Sequence, residues 1–320
     1  MNPVSGRSQA GSEGRTPRKP AGYRFRLAVC SGTFQGWSFT EACKGAVRTG
    51  YEGIEIAPHL LSDDPNSLSA ARRRELRDIR KSEGLLYAGL HNMLKAPRRL
   101  HLTTPDRTRR ERSWDYFRGL VDLCGDLGDA GLMILGSARQ RGTVDGATQR
   151  EARRRLAAGL AKVAPDAEAR RVRILLEPLA PHLCDVVNNL GEATAIVEQI
   201  GSPAVQSMFD THNAVAETLP HGEAIRKYDR YIKHIHVNEL DGRHPGTGDY
   251  DFKAVLQALK DLAYPGWVSL EVFHFEHGPE NIARDSARFI RDLEKKLVYD
   301  TDCDTVQSSP KSSVRTCSSS

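Results

Sequence analysis

The sequence predicts a single (β/α)8 barrel, and three observations lead to this prediction. Short apolar, β-prone runs alternate with longer segments of helical periodicity along residues 23–297. The runs are nearly continuous in hydrophobicity, as in parallel sheets that helices cover on both faces. Eight such units in about 275 residues fit a closed barrel, a fold that commonly uses about 250 residues in one domain.

Each predicted strand is a short apolar run, and a helical segment comes after it. The strands are FRLAVC (25–30), GIEIA (53–57), LYAGLH (86–91), LMILG (132–136), RILLEP (173–178), VQSMFD (205–210), YIKHIHV (231–237) and WVSLEVF (267–273). The helices are predicted from Ser38 onward and at 68–82, 107–127, 149–169, 190–200, 223–228, 252–262 and 281–297. Alternation alone does not show closure, so a doubly wound open sheet remains the alternative. No glycine-rich phosphate-binding motif follows any strand, which disfavours the usual nucleotide-binding folds.

The composition excludes several other classes of protein. Hydrophobic residues make up 39% and charged residues 27% of the 320 residues, and no run of about 18 apolar residues is present. The first twenty residues contain no apolar segment of a secretion signal, and the six cysteines form no C-x-x-C pair. We therefore expect a cytoplasmic protein with reduced thiols. Residues 1–22 and 298–320, rich in small and polar residues, are predicted to be disordered tails.

Polar residues close four consecutive predicted strands, at the end of the barrel where active sites are built. They are Glu177, Asp210, His236 and Glu271. Three carboxylates on one rim repel each other strongly unless a cation lies among them. A single carboxylate at a strand end is commonly a cap or an ion-pair partner, but four ligand types at the same end predict a divalent metal site. Oxygen donors with one nitrogen and no thiolate favour Mn²⁺, with Mg²⁺ or Co²⁺ as alternatives, over structural zinc.

Three further polar residues are predicted near these ligands. His234 and His236 share one face of their strand, so spacing alone does not decide between them. We choose His236 as the ligand because it is nearer the strand end, and expect His234 to be a hydrogen-bonded core histidine. His91 ends the third strand and is a candidate for contact with the ligands or the substrate, and Glu55 is a candidate hydrogen-bond partner of a ligand.

The segments around these residues carry a resemblance to a known family. They are E-P-L (177–179), D-T-H-N (210–213), H-I-H-V (234–237), G-R-H-P-G-T-G-D-Y-D-F (242–252) and S-L-E-V-F (269–273), with G-L-H-N-M-L (89–94), L-H-L-T-T-P-D (100–106) and G-S-A-R-Q-R (136–141) upstream. Together they resemble the sugar phosphate isomerase/epimerase family, the xylose isomerase-like barrels that include the ketose 3-epimerases. The resemblance covers nearly all of residues 24–297, and its most specific part is the P-G-x-G segment after the seventh strand.

The resemblance implies a metal-dependent isomerase or epimerase that acts on a small sugar or cyclitol ketone. The four side chains would hold the metal, which stabilises the cis-enediolate formed when the carbon next to the carbonyl loses its proton. Glu177 and Glu271 would be the acid/base pair on the two faces of the sugar, and Arg243 would reach the substrate from the loop after the seventh strand. A homo-oligomer is a family-level expectation, and neither a nucleic acid nor a membrane is expected as a partner.

Two positions depart from the pattern of the ketose epimerases. Relatives usually carry a histidine three residues after the strand-six aspartate, where this chain has Asn213, with His212 beside it. They also tend to carry a glutamate six residues after the strand-five glutamate, where this chain has Leu183, with His182 beside it. These positions are expected to face the substrate, so hydroxyl recognition is expected to differ from that of a simple epimerase.

Other functions remain open on the sequence alone. The same metal site suits a lyase or dehydratase, acting by keto-inositol dehydration or C-glycoside cleavage with His182 or His212 as the acid. A class II apurinic endonuclease is less favoured, because its three-metal cluster needs more histidines and its DNA substrate needs a more basic surface than the small positive net charge of residues 23–297 provides. A sugar-binding protein without turnover has little use for two glutamates beside an acidic C–H.

Overall fold

The computed structural model describes residues 22–298, and its centre is a closed barrel of eight parallel strands. Each strand pairs with the next along the chain, and the last pairs with the first. The strands are β1 Arg26–Cys30, β2 Gly53–Ile56, β3 Leu86–Leu90, β4 Gly131–Leu135, β5 Val172–Leu176, β6 Val205–Asp210, β7 Ile232–Val237 and β8 Trp267–Leu270. The predicted (β/α)8 barrel is confirmed, and closure removes the open-sheet alternative.

Helices surround the barrel. They are α1 Phe39–Arg48, α2 Ala70–Ser82, α3 Arg107–Leu127, α4 Ala138–Arg141, α5 Gln149–Ala169, α6 Leu190–Ile200, α7 His221–Tyr228, α8 Phe252–Asp261 and α9 Pro279–Lys296. Capping boxes begin α1 at Ser38 and α5 at Thr148, where the side chain accepts a hydrogen bond from the backbone three residues later. Among the described residues, no helix has the length and apolar character needed to cross a membrane. The predicted tails lie outside the described residues, apart from residues 22 and 298.

The interior of the barrel changes from apolar to polar along the strands. Its lower layers are formed by Ala28, Ala88, Trp267, Ile134, Leu175 and Met208. Side chains alternate along a strand, so the residue two positions further faces inward as well. Glu177 comes two residues after Leu175, and Asp210 comes two residues after Met208, so both side chains face inward. The alternation therefore places candidate ligands above an apolar floor.

Gly89 in β3 allows this strand to approach β4 closely. Its φ of +155° is in the region that favours glycine, and an added Cβ would lie 2.0 Å from the carbonyl oxygen of Leu132. That oxygen belongs to the backbone and has little freedom to move. His91 follows two residues later, so the position of Gly89 also affects the polar end of the barrel.

We predict that Gly89→Ala destabilises the fold much more than Gly84→Ala. Gly84 also has a positive φ, of +76°, but among the described residues no atom beyond its chain neighbours lies within 4 Å of an added Cβ. Gly84→Ala should cost about 1 kcal/mol through backbone strain alone, and Gly89→Ala about 3 kcal/mol or more through strain and overlap. Urea unfolding of both variants measures the difference. Equal losses would contradict the close approach of β3 and β4.

Candidate active site

Four side chains meet at the carboxyl end of the barrel. Glu177 directly follows β5, Asp210 ends β6, His236 is next to last in β7, and Glu271 directly follows β8. One ligand atom of each lies within 4.8 Å of those of the other three. The Nδ1 atom of His236 lies 3.0 Å from Glu271 Oε2, 3.5 Å from Asp210 Oδ2 and 3.9 Å from Glu177 Oε1. The structure thus brings together the four residues that the sequence singles out.

Two atoms of this cluster have no hydrogen-bond partner among the residues that the structure describes. His236 Nδ1 and Asp210 Oδ2 are both buried and make no hydrogen bond, although oppositely charged groups are close. Buried polar atoms without partners are rare because each has lost its water without compensation. Both atoms can bind a metal ion, and two further carboxylates lie beside them. A divalent cation would therefore give both atoms a partner. The residues present therefore fit a metal ion.

The charges of the cluster alter the pKa values of its members. Burial raises the pKa of Glu177 well above its ordinary value, and the negative charges of Asp210 and Glu271 add to the increase. Burial alone would lower the pKa of His236, but Glu55 and Glu271 outweigh it and hold that pKa well above the ordinary value. The cluster therefore attracts positive charge, because its carboxylates exceed the cations that balance them.

Glu55 joins the two histidines of β7 beneath the cluster. His234 Nε2 lies 2.7 Å from Glu55 Oε1, and His236 Nε2 lies 3.1 Å from Glu55 Oε2. Because the carboxylate of Glu55 accepts the hydrogen of His236 Nε2, a neutral His236 presents its lone pair at Nδ1. In the structure His236 therefore faces the three carboxylates, whereas His234 contacts Glu55 deeper in the barrel.

Backbone and amide groups hold the carboxylates in place. The backbone N–H groups of His212 and Asn213 donate to Asp210 Oδ1 at 2.7 and 3.1 Å. The side chain of Asn213 donates to Glu177 Oε1 at 3.3 Å and accepts from the backbone of Ala180 at 3.2 Å. Asn213 is buried, so its amide orients Glu177 as well as bordering the site.

The other predicted site residues lie at different distances from the cluster. His91 is buried, with Nδ1 3.4 Å from Glu271 Oε1. His212 donates from Nδ1 to the carbonyl oxygen of Leu240 at 2.7 Å, and its ring centroid is 6.4 Å from that of the exposed His182. Arg243 is exposed and donates from Nε to Asp241 Oδ2 at 2.6 Å. Among the described residues, no hydrogen bond or ion pair joins Arg243 or His182 to the four candidate ligands.

Sequence reasoning missed two buried residues of the site. Arg141 of α4 is fully buried and donates from Nη2 to the backbone carbonyl of Glu177, and its Nε and Nη1 have no hydrogen-bond partner within residues 22–298. Cys30 ends β1, and its thiol donates to Glu55 Oε2 at 3.5 Å. The only signal for Cys30 is its place at a strand end. Arg141 lies two residues after another arginine in a polar segment and carries no signal of burial.

The family of the chain follows from comparison with known proteins. The profile of the xylose isomerase-like TIM barrel family matches residues 43–293. This chain belongs to that family. The family resemblance predicted from the sequence is thereby confirmed.

The curated relatives of this xylose isomerase-like barrel include several ketose 3-epimerases. An L-ribulose 3-epimerase from Mesorhizobium japonicum is 30% identical over 189 residues, which cover 58% of this chain and 62% of that protein. A D-psicose 3-epimerase from Enterocloster bolteae is 28% identical over 234 residues, which cover 72% of this chain and 75% of that protein. The first of these matches therefore spans less than two thirds of the relative.

Solved structures show the same fold. The crystal structure of a D-psicose 3-epimerase in the presence of D-fructose has a TM-score of 0.74, with 20% identity, 84% of this chain covered and 99% of the other. A 3-keto-D-glucoside 4-epimerase from E. coli has a TM-score of 0.73, with 18% identity, 84% of this chain covered and 100% of the other. At these identities the likeness concerns the fold alone.

We predict that Mn²⁺ raises the melting temperature of this xylose isomerase-like barrel and that Asp210→Asn removes half of the increase or more. At about 100 times its Kd, a ligand stabilises the folded state by about 2.7 kcal/mol. Loss of one ligand should weaken metal binding by roughly tenfold or more, since even outer partners of metal ligands have effects of this size. Thermal unfolding with and without Mn²⁺ measures the increase.

Asp78→Asn is the matched control, because it removes the same charge from the exposed outer side of α2. This variant should keep the full increase in melting temperature. An Asp210→Asn variant with the full increase would contradict the metal site.

Proposed function

We propose that this protein is a divalent-metal-dependent sugar epimerase or isomerase that acts on a ketose or a related polyol ketone. The observation that carries the proposal is the convergence of four ligand atoms within 4.8 Å of one another at the carboxyl end of the barrel. Active sites of (β/α)8 enzymes are built at that end. The relatives named as ketose 3-epimerases support the same class of reaction.

The proposed metal ligands are the four converging side chains, Glu177, Asp210, His236 and Glu271. Oxygen donors with one imidazole favour Mn²⁺, with Mg²⁺ or Co²⁺ as alternatives. When bound, such a dication polarises the carbonyl of the sugar and makes the adjacent C–H acidic. The unpaired Nδ1 of His236 and Oδ2 of Asp210 support this assignment, because both would gain a partner.

Glu177 and Glu271 are the proposed acid/base pair. They follow β5 and β8, so two strands separate them and their carboxylates reach the centre from different sides. One carboxylate removes the proton from one face of the sugar to give a cis-enediolate, and the other returns a proton from the opposite face. Transfer on two faces inverts the carbon, which is epimerisation. Transfer by one carboxylate between neighbouring carbons gives aldose–ketose isomerisation instead.

Groups beside each glutamate favour this role. Asn213 donates to Glu177 at 3.3 Å, and His91 Nδ1 lies 3.4 Å from Glu271, so both carboxylates have an orienting neighbour. A proton-transfer group must be held within reach of the reacting carbon, and such neighbours restrict its rotation.

The loops above the cluster supply the proposed substrate-binding groups. His212 has its hydrogen at Nδ1, bonded to Leu240, which leaves Nε2 free to accept a hydrogen bond from a sugar hydroxyl. Arg243 pairs with Asp241, so it must exchange this partner for substrate oxygens. His182 is close enough to His212 to contact the same substrate.

A lyase or dehydratase is the second candidate, and the surroundings of His212 favour it specifically. Where ketose epimerases tend to carry a glutamate, this chain has the exposed Leu183, which follows His182 directly, and the ring centroid of His182 is 6.4 Å from that of His212. If the substrate carries a leaving group β to the carbonyl, an imidazole acid can protonate that group as the enediolate expels it. Keto-inositol dehydration and C-glycoside cleavage are reactions of this kind.

We predict deuterium exchange into ketoses in D₂O when Mn²⁺ is supplied, and large losses in Glu177→Gln and Glu271→Gln. Removal of a general acid or base should slow exchange by about 10² to 10⁴-fold. Nuclear magnetic resonance of recovered sugar locates the label. Because both glutamates are also proposed ligands, metal content is measured at saturating Mn²⁺ in each variant.

Glu75→Gln is the control, since Glu75 lies on α2 and pairs with Arg72 at the outer surface. It should retain wild-type exchange. A screen of ketoses, keto-inositols and sugar phosphates separates the two candidates, because elimination gives a new ultraviolet absorbance from an unsaturated product. Metal-loaded protein that neither exchanges nor eliminates with any of these compounds would refute both.

A further inference from the structure

A second group of metal-ligating atoms lies deeper in the barrel, below the candidate active site. Cys30, Glu55 and His236 each place one ligand atom within 4.8 Å of the other two. Cys30 Sγ is 3.5 Å from Glu55 Oε2 and 3.9 Å from His236 Nε2, and Glu55 Oε2 is 3.1 Å from His236 Nε2. All three residues are buried. We call these three residues the lower cluster.

The spacing of the lower cluster matches tetrahedral zinc coordination. Zinc bond lengths of about 2.0 to 2.3 Å at tetrahedral angles place two ligand atoms roughly 3.3 to 3.6 Å apart. The three observed separations, between 3.1 and 3.9 Å, need shifts of only a few tenths of an ångström to reach these values. We call the four candidate ligands of the active site, Glu177, Asp210, His236 and Glu271, the upper site. The thiolate, imidazole and carboxylate of the lower cluster form a softer donor set than the upper site, and so favour Zn²⁺ or Co²⁺ over Mn²⁺ or Mg²⁺.

Neighbouring residues already orient these ligands. His234 Nε2 binds the other oxygen of Glu55 at 2.7 Å, so Glu55 would stay anchored by Oε1 while Oε2 bound a metal. Cys30 also belongs to a second group, in which one ligand atom each of Cys30, His91 and Glu271 lies within 4.8 Å of the other two, so His91 and Glu271 are the candidates for a fourth ligand. His91 Nε2 is buried and has no hydrogen-bond partner in the described part of the chain.

The charge of the barrel interior accommodates an additional cation. Four carboxylates are buried in the two groups, those of Glu55, Glu177, Asp210 and Glu271. One dication neutralises two of these negative charges. A second dication in the lower cluster therefore does not leave the interior with a large positive excess.

We propose that the lower cluster is a binding site for a thiophilic dication and that it prefers Zn²⁺. Metal binding in the lower cluster weakens metal binding at the upper site. The thiol proton of Cys30 is released to solvent when sulfur binds the metal. The two sites share His236, and a neutral imidazole has one nitrogen with a free lone pair. When Nε2 binds zinc, Nδ1 carries the hydrogen, 3.0 Å from Glu271 Oε2, and is lost as a ligand of the upper site.

Cobalt titration of the full-length protein tests the lower cluster directly. Bound to a thiolate, Co²⁺ gives a sulfur-to-metal charge-transfer absorption in the near ultraviolet that oxygen and nitrogen ligands do not give. Wild type should develop this absorption, and Cys30→Ser should lose it. Cys43→Ser is the matched control, because Cys43 is equally buried, lies on α1 and belongs to neither group.

The absorption in Asp210→Asn separates this inference from the proposed function. Asp210 is outside the lower cluster. Its replacement by Asn should therefore leave the cobalt–thiolate absorption intact, whether or not the upper site is catalytic. Wild type without the absorption at saturating Co²⁺, or Cys30→Ser with an undiminished absorption, would overturn the lower site. A single cooperative thermal unfolding transition in Cys30→Ser shows that this variant is folded.

Competition between the sites has its own measurement. The Mn²⁺-loaded protein is titrated with Zn²⁺, and released Mn²⁺ is measured by its electron paramagnetic resonance signal. Release of half of the Mn²⁺ from Cys30→Ser should need a Zn²⁺ concentration roughly tenfold or more above that for wild type. Cys43→Ser should need the same concentration as wild type. Equal Zn²⁺ requirements in wild type and Cys30→Ser would show direct displacement at the upper site and would overturn the antagonism.

Discussion

Repulsion among buried carboxylates is the constraint on which the polar end of this barrel depends. Glu55, Glu177, Asp210 and Glu271 are each at most 8% exposed, and like charges at this depth cost much free energy unless cations or hydrogen bonds compensate them. His234 and His236 bind Glu55, and backbone N–H groups bind one oxygen of Asp210. The remaining charge, concentrated around His236 Nδ1, is what a bound dication would neutralise.

The sequence predicts the fold because its signals are local. Alternating apolar runs and helical segments give eight strands and their helices, and the observed bounds of α3, α5 and α6 equal the predicted ones. The four converging side chains are also predictable, since each stands where an apolar strand ends and parallel strands end at the same side of a barrel. Period-two alternation then directs these side chains inward above the apolar floor.

Contacts set by tertiary packing are not predictable in this way. Arg141 lies in the four-residue helix α4, too short for a periodic signal, and only the packing of the loop after β4 buries it against the backbone of Glu177. Nothing local indicates that Asn213 binds Glu177, which lies 36 residues away in the sequence. Cys30 joins the polar interior because β1 pairs with β2, which carries Glu55, and because closure of the barrel through β1 and β8 brings Cys30 near His236 of β7.

The most direct test of the central claim is a crystal structure grown with Mn²⁺ and measured at a wavelength where manganese scatters anomalously. We predict one strong anomalous peak coordinated by Glu177, Asp210, His236 Nδ1 and Glu271. A fully loaded crystal with no anomalous peak among these four side chains, or with the side chains turned away from one another, would contradict the claim that their charge is arranged for a dication.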